Sequence, residues 1–298
     1  MSYSTNLTNS DIEKIITKYS DYKLPLTNNY TLFRAKYKGC TITIFKTNTI
    51  LFQGLSESEV SKEICELTNI EIDKEKNSNT SLSLNLSLMG SDEVGTGDFF
   101  GGIVVVASYV PQELISTIKK LGVKDSKELS DAKITEIAPT LIKRVPHTIH
   151  LLDAIKYNYF TKIKKYNMNK IKALLHNSAL LNLRKKINSC DGVVIDAFTT
   201  EDKYFDYLSD TQNVLKDVKL EEKAENKYIC VAVSSIIARY IFLKHMNELS
   251  KSVNFELPKG AGNKVDLAIQ KILKTHNIKF FDNIAKTNFK NLDKAIAK

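Results

Sequence analysis

Four acidic residues lie where the hydrophobic pattern of the chain predicts the end of a strand or the start of a helix. Asp92 and Glu93 follow a strand-like alternation, Asp196 closes a short apolar run, and Glu225 precedes a long apolar helical pattern. Each carboxylate taken alone fits a turn, a surface position or a helix start, where a negative charge is favourable. Taken together they suggest one cluster, because neighbouring carboxylates repel one another unless protons or cations separate them.

A cluster of this composition predicts a specific kind of chemistry. Sites built only from carboxylate oxygens select hard cations, here Mg²⁺ or Mn²⁺. Two such ions can activate water and stabilise the leaving oxygen of a phosphodiester. The chain also carries a net charge of +9, which attracts polyanions and nucleic acid above all. The acids and the charge together favour a metal-dependent nuclease.

The element that carries the first two acids has to be irregular if both are to serve one site. Adjacent residues on a strand point to opposite faces, so we expect the strand to kink or end at Asp92. Glycines at positions 90, 95 and 97 permit a kink and a close approach of backbone N–H groups to a ligand. The alternating leucines at 82–88 predict the preceding strand, and the apolar run 103–110 predicts its hairpin partner.

The other elements of this region alternate between strand and helix. A short buried strand is predicted at 193–195, directly before Asp196. Apolar spacing of about 3.6 residues predicts helices, the longest over 225–249. The remaining predicted helices cover 111–121, 130–143 and 168–187. This order is typical of an α/β domain with a mixed sheet and helices on its faces.

The first part of the chain has its own pattern of elements and predicts a small α/β unit on an antiparallel sheet. The predicted elements are helices at 10–19, capped by Ser10, and 57–68, and strands at 30–37, 41–45 and 49–53. Polar and charged residues from 69 to about 80 predict a linker. The expected organisation is a domain at 1–70, a linker at 71–81 and a second domain at 82–298.

The basic residues are unevenly distributed between these parts. Residues 1–80 hold ten Lys or Arg and ten Asp or Glu, so the whole excess of positive charge lies in residues 81–298. Within the neutral first part, one stretch between Leu24 and Leu55 has cations and no acid. Its members are Arg34, Lys36, Lys38 and Lys46.

Several classes of protein are disfavoured by the same sequence. The run 101–110 is the longest nearly apolar one and is shorter than the ~20 residues that a membrane span needs. The amino terminus lacks the basic and apolar regions of a secretory signal. The four cysteines form no CxxC pair, which favours reduced thiols. We therefore expect a cytoplasmic protein without a membrane partner, and a monomer.

The segment that contains the first two acids resembles a known family signature. Residues 90–110, GSDEVGTGDFFGGIVVVASYV, resemble type 2 ribonucleases H and in particular ribonuclease HIII, whose motif contains D-E-V-G-T-G-D. The related ribonuclease HII carries G-R-G where this chain has Gly95-Thr96-Gly97, and it lacks an amino-terminal domain. Further segments agree in order along residues 82–290: GVKDSKELSD, NKIKALLHN, VVIDAF, KAENKYICVAVSSIIARY and LPKGAGNKVD.

The resemblance implies a fold and an activity. The fold would be a ribonuclease H-like mixed sheet flanked by helices, preceded by a small α+β domain similar to the TATA-binding-protein fold that grips the substrate. The activity would be hydrolysis of the RNA strand of an RNA–DNA hybrid duplex, leaving 3′-hydroxyl and 5′-phosphate ends. The catalytic and Mg²⁺- or Mn²⁺-binding quartet would be Asp92, Glu93, Asp196 and Glu225.

The resemblance also implies which residues contact the substrate. Gly95, Thr96 and Gly97 would offer backbone groups to the ribose 2′-hydroxyls, which distinguish RNA from DNA. Lys127 would contact a phosphate, and His176 and Asn177 would lie near the substrate. The cations Arg34, Lys36, Lys38 and Lys46 of the first domain would bind the hybrid.

Two alternatives to this function stay open at the level of the sequence. One is an enzyme similar to ribonuclease HII that acts at single ribonucleotides embedded in duplex DNA. The other is a hybrid-binding protein without catalysis, and for His176 a purely structural role is an equal alternative. The intact set of four acids disfavours simple binding, because unpaired carboxylates that face phosphates weaken it.

Overall fold

The computed structural model of the chain describes residues 3–26, 30–54, 56–68, 86–123 and 129–296. It divides into two compact units, residues 1–80 and 81–298. The division falls within the stretch for which a linker is predicted, but residues 69–85 themselves lie outside the described part. The same holds for Lys127 and for Leu82 and Leu84 of the leucine alternation at 82–88.

The amino-terminal unit is a four-stranded antiparallel sheet with two helices. The spatial order of its strands is β1-β4-β3-β2. The prediction of three strands and two helices is confirmed, whereas β1 has no alternation that would have revealed it, and the cap of α1 is Thr8 instead of Ser10. The elements are β1 (Tyr3–Asn6), α1 (Asn9–Lys18), β2 (Thr31–Tyr37), β3 (Cys40–Phe45), β4 (Thr49–Gly54) and α2 (Glu57–Thr68).

Strand alternation gives this sheet two different faces. Phe33 and Ala35 of β2 are buried in the core that the helices complete, together with Ile42 of β3. Leu32, between two buried residues of β2, is 42% exposed. Arg34 and Lys36 share its parity on the strand and are therefore on the face away from that core.

The second unit is built on a five-stranded mixed sheet with the order β7-β6-β5-β8-β9. The predicted hairpin of β5 and β6 is confirmed, and β5 pairs in parallel with β8. The strands are β5 (Leu88–Val94), β6 (Ile103–Val110), β7 (His147–Leu152), β8 (Gly192–Asp196) and β9 (Lys219–Glu221). The helices are α3 (Ile115–Lys120), α4 (Asp131–Arg144), α5 (Ala154–Lys162), α6 (Met168–Arg184), α7 (Glu201–Tyr207), α8 (Ile229–Ser252), α9 (Asn263–Ile272), α10 (Phe281–Ile284) and α11 (Lys290–Ile296).

Helices cover both faces of this sheet, as the alternation of strand and helix predicts. Residues of β6 divide between the two sides: Val104 and Val106 belong to a core with α4, α8 and α9. Ile103 and Val105 belong to a second core with α6 and α7. A strand buried on both sides reads as a continuous apolar run, which is why 103–110 lacks alternation.

Helix α8 is the central helix of the first of these cores. Its mean hydropathy of 1.5 over 18 residues is high enough for a membrane span by composition, but 67% of that window is buried inside the protein. Helix and strand lie so close that a Cβ on Gly90 would come within 2.6 Å of the backbone N of Val231. The composition of α8 therefore reflects its position against β5 and β6.

Candidate active site

Strand β5 carries two of the four predicted acids without the expected interruption. The strand runs through Asp92 and Glu93 to Val94, and all three residues pair with β6. The prediction that the strand kinks or ends at Asp92 is therefore wrong. Its parallel pairing with β8, by contrast, stops at Ser91, so both carboxylates lie where the sheet has lost one neighbouring strand.

Because the strand stays regular, the two carboxylates face different helices. Asp92 is hydrogen-bonded to Ser235 of α8, on one side of the sheet, and it also accepts the backbone N–H of Glu93 at 2.7 Å. Glu93 faces α6 on the other side, where Lys172 and His176 bind its two carboxylate oxygens. The site thus spans the edge of the sheet, with one acid on each face.

The other two acids come from β8 and from the turn before α8. Asp196 is the last residue of β8, as predicted, and it accepts the backbone N–H of Ala224 at 2.8 Å. Glu225 lies in a short 3₁₀ turn that precedes α8 and is separate from it, and the turn follows Lys223 at a φ of 54°. Glu225 is 1% exposed, and its carboxyl group is hydrogen-bonded to that of Asp196. Two carboxyl groups can share a hydrogen bond only when one of them holds a proton.

The electrostatics of the site differ between its two sides. Burial, followed by the charges of Glu93 and Asp196, raises the pKa of Asp92 well above its ordinary value. Burial is also the main reason why the pKa of Asp196 is raised to about 7, and the neighbouring Glu225 adds to it. For Glu93, burial would raise the pKa, but His176 and Lys172 outweigh it and lower the pKa. The charged form is thus disfavoured for Asp92 and Asp196, and His176 and Lys172 stabilise it for Glu93.

This donor set fits a hard divalent cation. It offers carboxylate oxygens, and a cation beside Asp196 would favour the charged form that burial and Glu225 disfavour. Within the described residues, no three His, Cys, Asp or Glu side chains are already close enough to hold a metal ion. The four acids form interacting pairs, and Glu93 is held toward α6. A cation that used all four would have to draw Glu93 away from its present partners.

The predicted Gly-Thr-Gly segment borders the same cavity. The cavity has a volume of about 500 Å³. Gly95 has a φ of 101°, and a Cβ there would come within 2.4 Å of the carbonyl oxygen of Gly102, so this position requires glycine. Gly97 has open space around it instead. The residues that line the cavity are Asp92, Glu93, Val94, Gly95, Thr96, Gly97, Asp98, Leu129, Ile134, Asp196, Ser235 and Arg239.

Two residues predicted to lie near the substrate are buried beneath the site. His176 is 0% exposed, and Asn177 is 3% exposed. Asn177 binds the backbone of Asn213 and Leu215 through its amide group. A side chain without exposed surface cannot contact a duplex, so the expected substrate contact of His176 is corrected to a supporting role, whereas Asn177 holds the backbone at residues 213 and 215. For His176 that role is contact with Glu93.

The predicted cations of the amino-terminal unit are not equivalent. Lys38 is bound by Glu59 and Glu63 at 2.6 Å each, and these ion pairs raise its pKa. Its ammonium group is therefore paired with two carboxylates, and its contact with the substrate stays a prediction. Arg34 and Lys36 lie on the face of the sheet away from the helices, and Lys46 is exposed after β3.

Among the residues that contact the acids or line the cavity, Ser235, Arg239 and Lys172 are polar or charged and were not predicted from the sequence. Ser235 and Arg239 lie one turn apart on α8, and both line the cavity. Lys172 lies on α6 one turn before His176 and is 7% exposed. A signal was present for Lys172, since a lysine four residues before a histidine shares its helical face, and this face is otherwise apolar.

Comparisons with known proteins identify the family of this chain. Residues 89–292 match the family model described as Ribonuclease HII, and residues 4–79 match a model described as a domain of unknown function. Ribonuclease HIII of Streptococcus agalactiae serotype Ia is 40% identical, over 96% of this chain and 95% of its own length. Ribonuclease HIII of Streptococcus mutans serotype c is 41% identical, over 95% and 94%. The solved structure of Bst-RNase HIII in complex with Mn²⁺ is 36% identical, with a TM-score of 0.73, and it covers 100% of this chain and 98% of its own. The chain belongs to the ribonuclease HIII family.

Proposed function

We propose that this protein is an endonuclease that hydrolyses the RNA strand of RNA–DNA hybrids and leaves 3′-hydroxyl and 5′-phosphate ends. The observation that carries this proposal is the convergence of four acids from three distant segments at one edge of the sheet. Asp92 and Glu93 come from β5, Asp196 from β8 and Glu225 from the turn before α8. Family membership and the Mn²⁺ complex of a relative support it.

The four carboxylates would hold the divalent cations, Mg²⁺ or Mn²⁺. When bound there, such ions polarise the phosphodiester and lower the pKa of water. The carboxylate ligands that the protein supplies for these ions differ in the direction of their pKa shifts. Burial and Glu225 raise the pKa of Asp196, whereas His176 and Lys172 lower the pKa of Glu93. Ser235 orients Asp92 through a hydrogen bond.

The backbone of the Gly-Thr-Gly segment would recognise the RNA strand. Gly95 holds a left-handed conformation that brings this segment against Gly102, and both Thr96 and Gly97 line the cavity beside the acids. Backbone N–H and carbonyl groups at this position can bind the ribose 2′-hydroxyl, which DNA lacks. Gly97 has no atom within 4 Å of where its Cβ would be, so a ligand can approach its backbone closely.

The amino-terminal unit would hold the duplex through its helix-free sheet face. Arg34 and Lys36 lie on this face next to exposed Leu32, and phosphate contacts of this kind position a substrate without reading its sequence. Arg34→Ala combined with Lys36→Ala should therefore raise KM far more than it lowers kcat. The matched control is Lys14→Ala, which removes an exposed cation of α1 on the other side of the sheet. An unchanged KM would contradict this role.

The cleavage experiment compares three duplexes of equal length: an RNA–DNA hybrid, a DNA duplex with four consecutive ribonucleotides and one with a single ribonucleotide. Each is tested across a titration of Mg²⁺ and of Mn²⁺. We expect cleavage of the hybrid and of the four-ribonucleotide block, and loss of this cleavage in Asp196→Asn. A preference for the single ribonucleotide would refute the proposed substrate, and full activity of Asp196→Asn would refute the site.

A further inference from the structure

Lys172 forms a buried ion pair inside the acid cluster. Its Nζ lies 2.5 Å from Oε1 of Glu93, and the two side chains are only 9% and 11% exposed. The other oxygen of Glu93 accepts a hydrogen bond from Nε2 of His176 at 2.9 Å. Both oxygens of one proposed metal ligand are therefore already bound by side chains of the protein.

The surroundings of Lys172 fix its ammonium group in this place. Its Nζ lies 4.1 Å from the centroid of the Phe198 ring, which is within the range of a cation–π interaction. The His176 ring stacks on the same Phe198 at a centroid distance of 5.3 Å. His176 is itself held from behind, because Oγ of Ser91 lies 2.8 Å from its Nδ1. The ammonium group thus has a carboxylate on one side and an aromatic face on another.

We propose that Lys172 is a fixed internal cation of the acid cluster, which holds Glu93 toward α6 and competes with a divalent cation for that carboxylate. The proposal rests on the proposed function, since it assumes that the cluster binds such ions. Its basis is that both carboxylate oxygens of Glu93 are bound by Lys172 and His176, so a cation that uses Glu93 must displace at least one of them. Lys172 is then a positioning residue, because it acts through Glu93.

The direction in which metal affinity changes when Lys172 is replaced separates this role from a purely structural one. Removing a positive charge near the cluster makes the cluster more negative, so a divalent cation should bind more tightly. A unit charge at ~5 Å interacts with a divalent ion by more than 1 kcal/mol even at the dielectric constant of water, which corresponds to roughly tenfold in affinity. If Lys172 only supported the fold, its removal would disturb the site and weaken binding.

The test is calorimetric titration of the metal-free full-length protein with Mn²⁺, for the wild type and three variants. Lys172→Met should lower the Kd for Mn²⁺ roughly tenfold, and Lys172→Arg should stay close to the wild type. Lys170→Met is the control, because Lys170 lies on the same helix but pairs with Asp210 at 2.8 Å. This variant changes the net charge equally and should leave the Kd unchanged.

An unchanged or higher Kd in Lys172→Met would overturn the proposal. A wild type that binds no Mn²⁺ and cleaves no hybrid would instead count against the proposed function. If Lys172→Met does not fold, the wild type provides the measurement. NMR of the lysine ammonium groups, with the Lys172 signal identified by its loss in Lys172→Arg, should show this signal moving when Mg²⁺ is added. A signal that stays in place at saturating Mg²⁺ would overturn the proposal.

Discussion

Two neighbouring acids on opposite sides of strand β5 have pKa values that are shifted in opposite directions. On the α8 side, Asp92 is buried, and its pKa is raised. On the α6 side, its neighbour Glu93 is almost as buried, but Lys172 and His176 lower its pKa. Adjacent residues of similar chemistry thus have opposite pKa shifts, because the helices on the two faces present different partners. Burial alone does not decide whether a carboxyl group is charged.

The largest expected effect is a loss of catalysis, and it should be the same for the acids on both sides of β5. Asp92→Asn and Glu93→Gln each remove one charged oxygen ligand, and we expect each to lower kcat for hybrid cleavage by about a thousandfold or more. The measurement is single-turnover cleavage at saturating Mn²⁺. Glu222→Gln, an exposed acid close to Glu225, is the control. If only one of the two variants lost activity, the cluster would not act as a unit.

The same two variants should differ in stability. Glu93→Gln leaves the ammonium group of Lys172 buried without its carboxylate, and we expect the free energy of unfolding to fall by about 3 kcal/mol. Asp92→Asn removes a carboxyl group whose charged form is disfavoured by burial, so the free energy of unfolding should stay within about 1 kcal/mol or rise. Urea unfolding of the metal-free proteins at pH 7 checks both. Equal losses would show that the two sides are alike.

Replacement of His176 should lower activity less than replacement of Asp92 or Glu93. His176→Ala keeps the ion pair of Glu93 with Lys172 but removes the hydrogen bond to its second oxygen. We expect kcat for hybrid cleavage to fall by about 10- to 100-fold, as for partners that orient a catalytic carboxylate. His276→Gln, at a histidine in the loop after α9, should leave kcat unchanged. An unaffected His176→Ala would assign this histidine to packing alone.

Lys286 extends the comparison to a buried cation without a carboxylate partner among the described contacts. Its ammonium group donates to the carbonyl oxygens of Gly101 and Gly102, at 2.9 Å and 3.4 Å. Burial lowers the pKa of Lys286 to about 7. Above pH 7 the unfolded chain therefore binds more protons at this lysine than the folded chain does. It follows that the lysine makes the free energy of unfolding rise with pH between about 7 and its ordinary pKa.

The size of this effect is at most about 1.4 kcal/mol per pH unit. Urea unfolding from pH 7 to pH 9 measures the slope, and Lys286→Met should flatten it. Lys279→Met, at an exposed lysine nearby in the sequence, should keep the slope of the wild type. A slope that Lys286→Met does not change would mean that this lysine stays charged in the fold.

Much of the site could be predicted because strand ends are visible in the sequence. The apolar run before Asp196 identifies the end of β8, and the resemblance at 90–110 identifies β5. The path of β5 through Asp92 and Glu93 could not be predicted, because the glycines around them equally permit a kink. Strand β1 is short, and its pairing with β4 is set by tertiary structure instead of by its own pattern.

The roles of Lys172 and Lys38 show a further limit of prediction from the sequence. Both are lysines in basic stretches, and composition treats them alike as surface cations. Lys38 is held by two glutamates of α2, more than twenty positions away in the sequence, and Lys172 is held by Glu93 of β5. Such pairings depend on which elements pack together, so they become visible only with the fold.

The uninterrupted path of β5 also has a consequence for the insertions and deletions that the chain can tolerate. The side chains of a strand alternate strictly, so losing or gaining one residue between Leu88 and Asp92 would reverse the direction of every side chain that follows. Asp92 would then meet Lys172 and His176, and Glu93 would meet Ser235. A single codon added there would leave the composition of the site intact and exchange its two halves.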